Sequence, residues 1–503
     1  MYLTFDVGTT AVKTALYDRA GRLRYKVTKD YRLHSPVVGW YEVNPEIYRQ
    51  SVVAGFQEIV AQSGVSASEI TMIAGCSQGE TVIFLDKDDA PVRPAMVWID
   101  SRARKEVDEI KALVDVEEFF QTTGLLEIEP TWSALKILWV KNNQPEIFRK
   151  TAKFLLVEDY ITYELTGQFV SSASLLSTSA LIDVHRKTYW RKTVDYLGIA
   201  DQLPTILAEG SLVGQIRPAV AEQIGLHKAT RVLKGSMDQN MSAVGAGNIK
   251  PGIISETTGS AMAIGITADA VDLRGKVKLP YQPHVIPDKY LILPFAQTAG
   301  IVYKWFRDEF AKEEIRTAGD LERAYAALNT LAANVPPGAD GIVCLPFLAG
   351  GAPFPNNNAD AKGVFYGVTL KHGKAHFTRA IMESIGYMLK NILAQVAQAG
   401  IRIEEVHAMG GGARSELWLQ IKADICNYPL VRMQEEETST LGAAILAAVH
   451  GGDYATITEA VAVMVKAGQR FTPNPAHHAV YARSYELYQE LYTKLTPLFE
   501  KYA

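Results

Sequence analysis

Short apolar runs alternate along this chain with longer stretches in which apolar residues recur every three to four positions. Residues 2–31 read as strand, turn, strand, turn, strand. The first apolar run ends in Phe5-Asp6-Val7, and Leu23, Tyr25 and Val27 alternate with polar neighbours as a half-buried strand does. Asp18-Arg19-Ala20-Gly21 supplies the second turn, and three consecutive antiparallel strands indicate a mixed sheet. Asn44-Pro45 then predicts a helix start, with Asn as cap and Pro at the first helical position. Tyr48, Val52, Phe56 and Val60 share one face, and Gly64 ends the helix. Met72 to Cys76 reads as a strand leading into the loop Ser77-Gln78-Gly79-Glu80, and residues 82–86 resume as a strand.

A related pattern returns later. Residues 252–264 again read as strand, Gly/Thr turn, strand, the trace that two lobes of similar topology leave in a sequence. The boundary is placed near Gly245 to Gly252, giving domains 1–246 and 247–503. Residues 336–341 form a loop before a buried strand at 342–345. Residues 350–363 form a polar loop before a long helix beginning near His376. Val406-His407-Ala408 is strand-like and leads through a glycine cluster to a helix from Glu416, with Trp418, Ile421 and Ile425 at helical spacing.

At 503 residues the chain exceeds what one core supports, so at least two domains are expected. With 48% hydrophobic and 21% charged residues and a net charge of −4, it reads as an ordinary folded protein with no basic face for nucleic acid. No apolar stretch reaches the roughly 18 residues that span a bilayer, and residue 1 leads directly into a strand without a cleavable leader, so neither a membrane partner nor export is expected and the location is read as cytoplasmic. Cys76, Cys344 and Cys426 lie far apart without CxxC spacing and read as buried structural thiols.

Six segments carry candidate chemistry. Asp6-Val7-Gly8-Thr9-Thr10 joins a strand-end acid to free backbone N–H groups and two hydroxyls, which suits a phosphate chain and its metal; an ordinary turn is the alternative. Thr257-Thr258-Gly259-Ser260 offers a second such turn, with a plain hairpin as the alternative. Gly410-Gly411-Gly412 before a helix permits close approach of a flat or anionic ligand, and its spacing is not that of a Rossmann dinucleotide site. Asp238, in Gly235-Ser236-Met237-Asp238-Gln239-Asn240 before a small-residue helix at 241–247, reads as a helix cap or as a base acting between lobes. Glu80 and the segment Met96 to Arg102, with Trp98, add the polar and aromatic groups a small hydroxylated ligand needs, although Trp98 also fits a core. Arg102 to Glu109 reads as a solvated helix face.

Taken in order, these segments resemble the FGGY family of carbohydrate kinases, the group of xylulokinase, gluconokinase and glycerol kinase, over essentially the whole chain. Asp6 to Thr10 looks like that family's first phosphate loop, Gly235 to Gln239 its catalytic-acid segment, Thr257 to Gly259 its second phosphate loop and Gly411 to Ser415 its adenosine-side motif. Residues 98–102, 300–308 and 361–369 are similar to further family segments. The resemblance implies an α/β fold of two actin-like (ribonuclease H-like) lobes around a central cleft. It also implies transfer of phosphate from ATP, with Mg²⁺, to a primary hydroxyl of a small sugar, a pentulose such as xylulose being favoured over glycerol, erythritol or gluconate. Under it Asp238 is the base; Glu80, Trp98, Asp238 and Gln239 face the sugar; and Asp6 holds the metal. Gly8, Thr9, Thr10, Lys13, Thr257, Thr258, Gly259, Gly300, Lys304, Gly411, Gly412 and Ser415 serve the nucleotide. A homodimer is compatible with it. An actin- or chaperone-like ATPase switch is the competing class, and it would need the phosphate loops without a sugar-lining acid. Three departures stand out. Xylulokinases and gluconokinases carry Met-His in the substrate loop, and glycerol kinases Arg-Glu, where this chain has a shorter Gln78-Gly79-Glu80 that lacks the partner. The family's Gly-Glu-Arg segment stands here as Gly350-Gly351-Ala352-Pro353, and no tyrosine lies near Thr131-Trp132 where glycerol kinases place one.

Overall fold

The computed structural model describes residues 1–349 and 351–502, so Gly350 lies outside the described residues. The chain forms two compact units. The first takes Met1–Ile249, Thr267–Ile292 and Glu437–Val465; the second takes Lys250–Ile266, Leu293–Glu436 and Lys466–Ala503. The chain first crosses at 249/250 and then returns twice to the first unit, with Thr267–Ile292 and with Glu437–Val465.

The first unit is built on a mixed sheet whose strands run in the order Leu212–Gln215, Arg231–Leu233, Met72–Ser77, Tyr2–Val7, Ala11–Tyr17 and Leu23–Asp30, with Ser236–Met237 also beside Met72–Ser77. Tyr2–Val7 pairs antiparallel with Ala11–Tyr17 and parallel with Met72–Ser77. Strand alternation sends Leu3, Phe5 and Val7 to one face, where they pack with Tyr48, Val52 and Phe56 of the helix Pro45–Gln62. That helix begins as its sequence predicts, Asn44 accepting from Glu46 N and Pro45 standing in the first turn. The other face carries Tyr2 with Met241, Val244 and the small-residue helix Thr438–His450. Two glycines let the helix Asp238–Gly245 and Thr438–His450 meet at backbone distance: a Cβ on Gly245 would lie 1.9 Å from the Thr438 carbonyl, and one on Gly442 2.1 Å from that of Met241. Since Asp6 alternates with Phe5 and Val7, its side chain faces this second helix pair.

The second unit repeats the motif. Gly252–Thr258 pairs antiparallel with Met262–Ala268 and parallel with Ile403–Met409, after which come Leu430–Met433 and Ala467–Phe471. The helices Lys374–Gln398, Glu416–Cys426 and Pro475–Lys501 belong to the same unit. Mixed sheets with helices on their faces are what an actin-like lobe requires. All three cysteines are buried and free. Among the described residues no helix is long and apolar enough to cross a membrane.

One expectation fails in part. Arg104, Lys105 and Asp108 are exposed as expected, but Arg102 and Glu106 do not lie on a solvated face. The Arg102 guanidinium is buried 3.9 Å over the Trp40 ring and paired to Asp100 at 2.6 Å and Glu42 at 2.9 Å, and Glu106 is buried too. A run of alternating charges hid an ion pair completed by Glu42, which is remote in sequence.

Candidate active site

Register brings the first set of candidates together. Asp6 pairs with Cys76, and Cys76 with Ser236, so the strands Tyr2–Val7, Met72–Ser77 and Ser236–Met237 end side by side. The turn at Gly8 to Thr10, the loop Gln78 to Glu80 and the segment starting at Asp238 therefore leave one end of one sheet. The turn closes through Gly8 N to Ala11 O at 3.0 Å, and Gln78 N donates to Val7 O at 2.9 Å.

Asp6 is buried. Its Oδ2 accepts from Ser439 Oγ at 2.6 Å, while Oδ1 has no hydrogen-bond partner. Burial raises its pKa against the opposing Ser439 hydrogen bond and the Lys13 charge. Lys13 itself pairs with Glu437 at 2.7 Å, and Lys26 holds the other oxygen of Glu437 at 2.9 Å.

Asp238 is the first residue of its helix, and the capping position belongs to Met237, so the cap alternative does not apply. Burial, then the negative charge of Asp6, pushes the Asp238 carboxyl well above the ordinary aspartate range. Gln239 hydrogen bonds oppose that shift and the Glu80 charge adds to it.

Glu80 sits at φ 50°, a left-handed conformation that non-glycine residues adopt at a cost. Its carbonyl is held by Ser133 Oγ at 3.2 Å and Lys136 Nζ at 3.1 Å, which fixes the strained residue from outside the loop. Burial raises the Glu80 carboxyl to about 7, against the Thr178 hydroxyl and the Lys136 charge; burial likewise lowers Lys136 to about 7. Only glycine fits comfortably at 79, where a Cβ would lie 3.0 Å from both Met237 Sδ and Thr178 Oγ1. Trp98 is half-buried against the core, and Lys136 Nζ also donates to its carbonyl at 3.2 Å.

The second unit gathers the other candidates. The turn at Thr257 to Ser260 closes through Gly259 N to Ala261 O at 2.9 Å, one residue tighter than the Gly8 turn. A Cβ on Gly300 would stand 2.2 Å from the Gly259 carbonyl, and one on Gly412 2.8 Å from Thr258 Cβ. Two segments remote in sequence thus approach this turn because each offers a residue without a side chain there. The Thr258 hydroxyl turns inward, bonded to Glu256 and to the fully buried Lys422 at 2.8 Å, leaving backbone groups on the turn's surface. Ser415 caps the helix Glu416–Cys426 by accepting from Trp418 N at 3.2 Å. Lys304 is exposed and paired with Asp308 at 2.8 Å. A cavity of about 410 Å³ lined by Pro336, Arg379, Gln420, Asp424 and His477 contains none of the candidates.

The family model for the N-terminal domain of FGGY carbohydrate kinases matches residues 1–245, and that for the C-terminal domain matches residues 254–451. The chain belongs to the FGGY family of carbohydrate kinases. It is 29% identical to a xylulose kinase of Bacillus subtilis over 97% of this chain and 96% of that enzyme. It is 30% identical to a gluconokinase of the same organism over 99% and 96%. The solved ligand-bound xylulose kinase from Lactobacillus acidophilus superposes with a TM-score of 0.91 over 100% of both chains at 26% identity. As an FGGY kinase the protein phosphorylates a carbohydrate with ATP. Several groups around its candidate residues escaped sequence reasoning: Ser439 on Asp6, Lys136 and Thr178 on Glu80, and Lys422 under the second turn. Each reaches its partner from far along the chain, and only the alternation of strand faces points toward any of them.

Proposed function

We propose that this FGGY kinase is a cytoplasmic enzyme that transfers the γ-phosphoryl group of ATP to a primary hydroxyl of a neutral small sugar, a pentulose such as xylulose being favoured. The observation that carries the proposal is the shared end of three adjacent strands, with Asp238 as a carboxylate of raised proton affinity beside the Glu80 loop. A sugar hydroxyl is a weak nucleophile at neutral pH, and Asp238 takes its proton as the bond to phosphorus forms. Gln239, Glu80 and the Trp98 ring orient the sugar. Two carboxyls in one pocket disfavour a third on the substrate, which argues for a ketose over an aldonate. The Gly8 to Thr10 and Thr257 to Gly259 turns bind phosphate oxygens, chiefly through N–H groups, with Lys13 nearby; Gly300, Lys304, Gly411, Gly412 and Ser415 serve the rest of the nucleotide.

The unpartnered Asp6 Oδ1 fits a hydrated divalent cation. Bound Mg²⁺ would neutralise phosphate charge, and Asp6 would hold it through water. Asp6→Ala is expected to raise the Mg²⁺ concentration giving half-maximal rate by about 10- to 100-fold, as loss of an outer ligand does; a magnesium titration of a variant shown to melt normally checks it. Glu80→Ala should weaken sugar binding by about 1.5–3 kcal/mol, the range for hydrogen bonds to charged groups, and leave nucleotide binding unchanged in calorimetry.

A coupled ADP-release screen across xylulose, ribulose, xylitol, erythritol, glycerol and gluconate tests the substrate class. The highest kcat/KM should fall on a pentulose, and a preference for gluconate would remove the neutral-sugar assignment.

A further inference from the structure

We propose that the hydrogen bond from the Trp98 indole to Thr9 couples the sugar to the nucleotide, so that Trp98 is a positioning residue for the first phosphate turn as well as a wall for the sugar. Trp98 Nε1 donates to Thr9 Oγ1 at 2.9 Å. An indole nitrogen is a donor only, so this contact makes the Thr9 oxygen an acceptor and leaves its single proton to be given to a phosphate oxygen. The indole thus fixes both the rotamer of Thr9 and the direction in which it donates.

Trp98 is well placed to carry that information. Its own N–H donates to the buried Thr81 Oγ1 at 3.0 Å and its carbonyl accepts from Lys136, whose ammonium also grips the Glu80 carbonyl. A sugar packed on the ring would hold the indole, and through it the Thr9 hydroxyl, in place. The rest of the turn is tied to the same region. Tyr31 OH donates to the Gly8 carbonyl and Tyr31 N to the Thr10 carbonyl at 2.9 Å. The Tyr31 ring meets Tyr48 edge-on at 5.5 Å, and Tyr48 OH accepts from Gln78 Nε2 at 3.3 Å. Each residue of the turn is therefore anchored to a group in or beside the proposed sugar-binding segments, and coupling between two sites works in both directions.

The inference rests on the sugar and nucleotide assignments above, and calorimetry separates the two. The affinity of the non-hydrolysable ATP analogue AMPPNP with Mg²⁺ is measured with and without saturating D-xylulose. In the wild type the sugar should tighten AMPPNP by at least about 5-fold, the lower end of site-to-site coupling. In Trp98→Phe, which keeps a ring and deletes the donor, the ratio should fall to near 1 when it is measured at a D-xylulose concentration that saturates the variant. Thr9→Ser should retain the ratio. Thr9→Val should lose it, and adding Trp98→Phe to Thr9→Val should change it no further, since both remove one contact. A role in stability alone would shift melting and leave the ratio intact. A wild-type ratio of 1, or an undiminished ratio in Trp98→Phe, overturns the coupling and leaves the kinase assignment standing. Failure of the wild type to bind D-xylulose in any state overturns the substrate assignment instead.

Discussion

Asp238→Asn is expected to lower turnover by about 100-fold or more, the range for loss of a general base, with sugar affinity within a few-fold of the wild type and an unchanged melting temperature. The substitution keeps shape and helix position, because Asp238 is the first helical residue and does not cap the helix. It removes only the ability to accept a proton. A 100-fold loss is about 2.7 kcal/mol of transition-state stabilisation. The pH dependence follows from the same environment. Burial and the Asp6 and Glu80 charges raise the Asp238 pKa, and the base works only when deprotonated. The rate should therefore rise with pH through a value above the ordinary aspartate range of about 4. Glu80→Gln removes one repelling charge, so this rise should move to lower pH. A folded Asp238→Asn variant with near-normal turnover would mean another group takes the proton.

The largest effect on stability is expected from Lys234→Met. Lys234, Glu158 and Asp159 all have fully buried side chains. Lys234 Nζ is paired with Glu158 and lies 2.7 Å from Asp159, and Glu158 also accepts from Gly235 N at 3.0 Å, three residues before Asp238. Removing the cation strands two carboxylates away from water, a change that costs about 3–5 kcal/mol. A fall in melting temperature on the order of 10 °C at pH 7 follows for a unit of this size, checked by scanning calorimetry. Burial already raises Asp159 to about 6, and the variant, deprived of Lys234, should bind its proton more tightly still. A folded-state pKa above the unfolded one means stability is greatest at low pH and lost as pH rises through the folded value. The deficit of Lys234→Met should therefore shrink as pH falls from 7 towards 5. An equal deficit at both pH values would show that packing, not charge, holds this position.

The glycine turns were legible in the sequence because turn chemistry is local. Gly8, Gly259 and Gly412 announce backbone approach wherever they stand, and the structure puts each at a strand end or beside one. The helix cap at Asn44 and the strand alternation at Leu23, Tyr25 and Val27 are local in the same sense. What was not legible depends on pairs distant in sequence. Ser439 reaches Asp6 across 433 positions, and Lys422 reaches Thr258 across 164. No periodicity reports such meetings. Burial of charge misled at Arg102 for the same reason, and nothing local at Lys234 or Lys422 points to the carboxylates that neutralise them. Thr258 shows the limit within a single turn, since its place between the two strands was evident in the sequence and the inward direction of its hydroxyl was not.

Phosphorus NMR of the protein incubated with Mg²⁺-ATP and D-xylulose tests the central claim most directly. A phosphomonoester signal is expected that grows in step with ADP and is split into a triplet by two protons on the ester carbon, the signature of a phosphorylated primary hydroxyl, with little inorganic phosphate. The same signal should grow at least about 100-fold more slowly with Asp238→Asn. Release of inorganic phosphate in place of a phosphomonoester, or a doublet from a secondary ester, would contradict it.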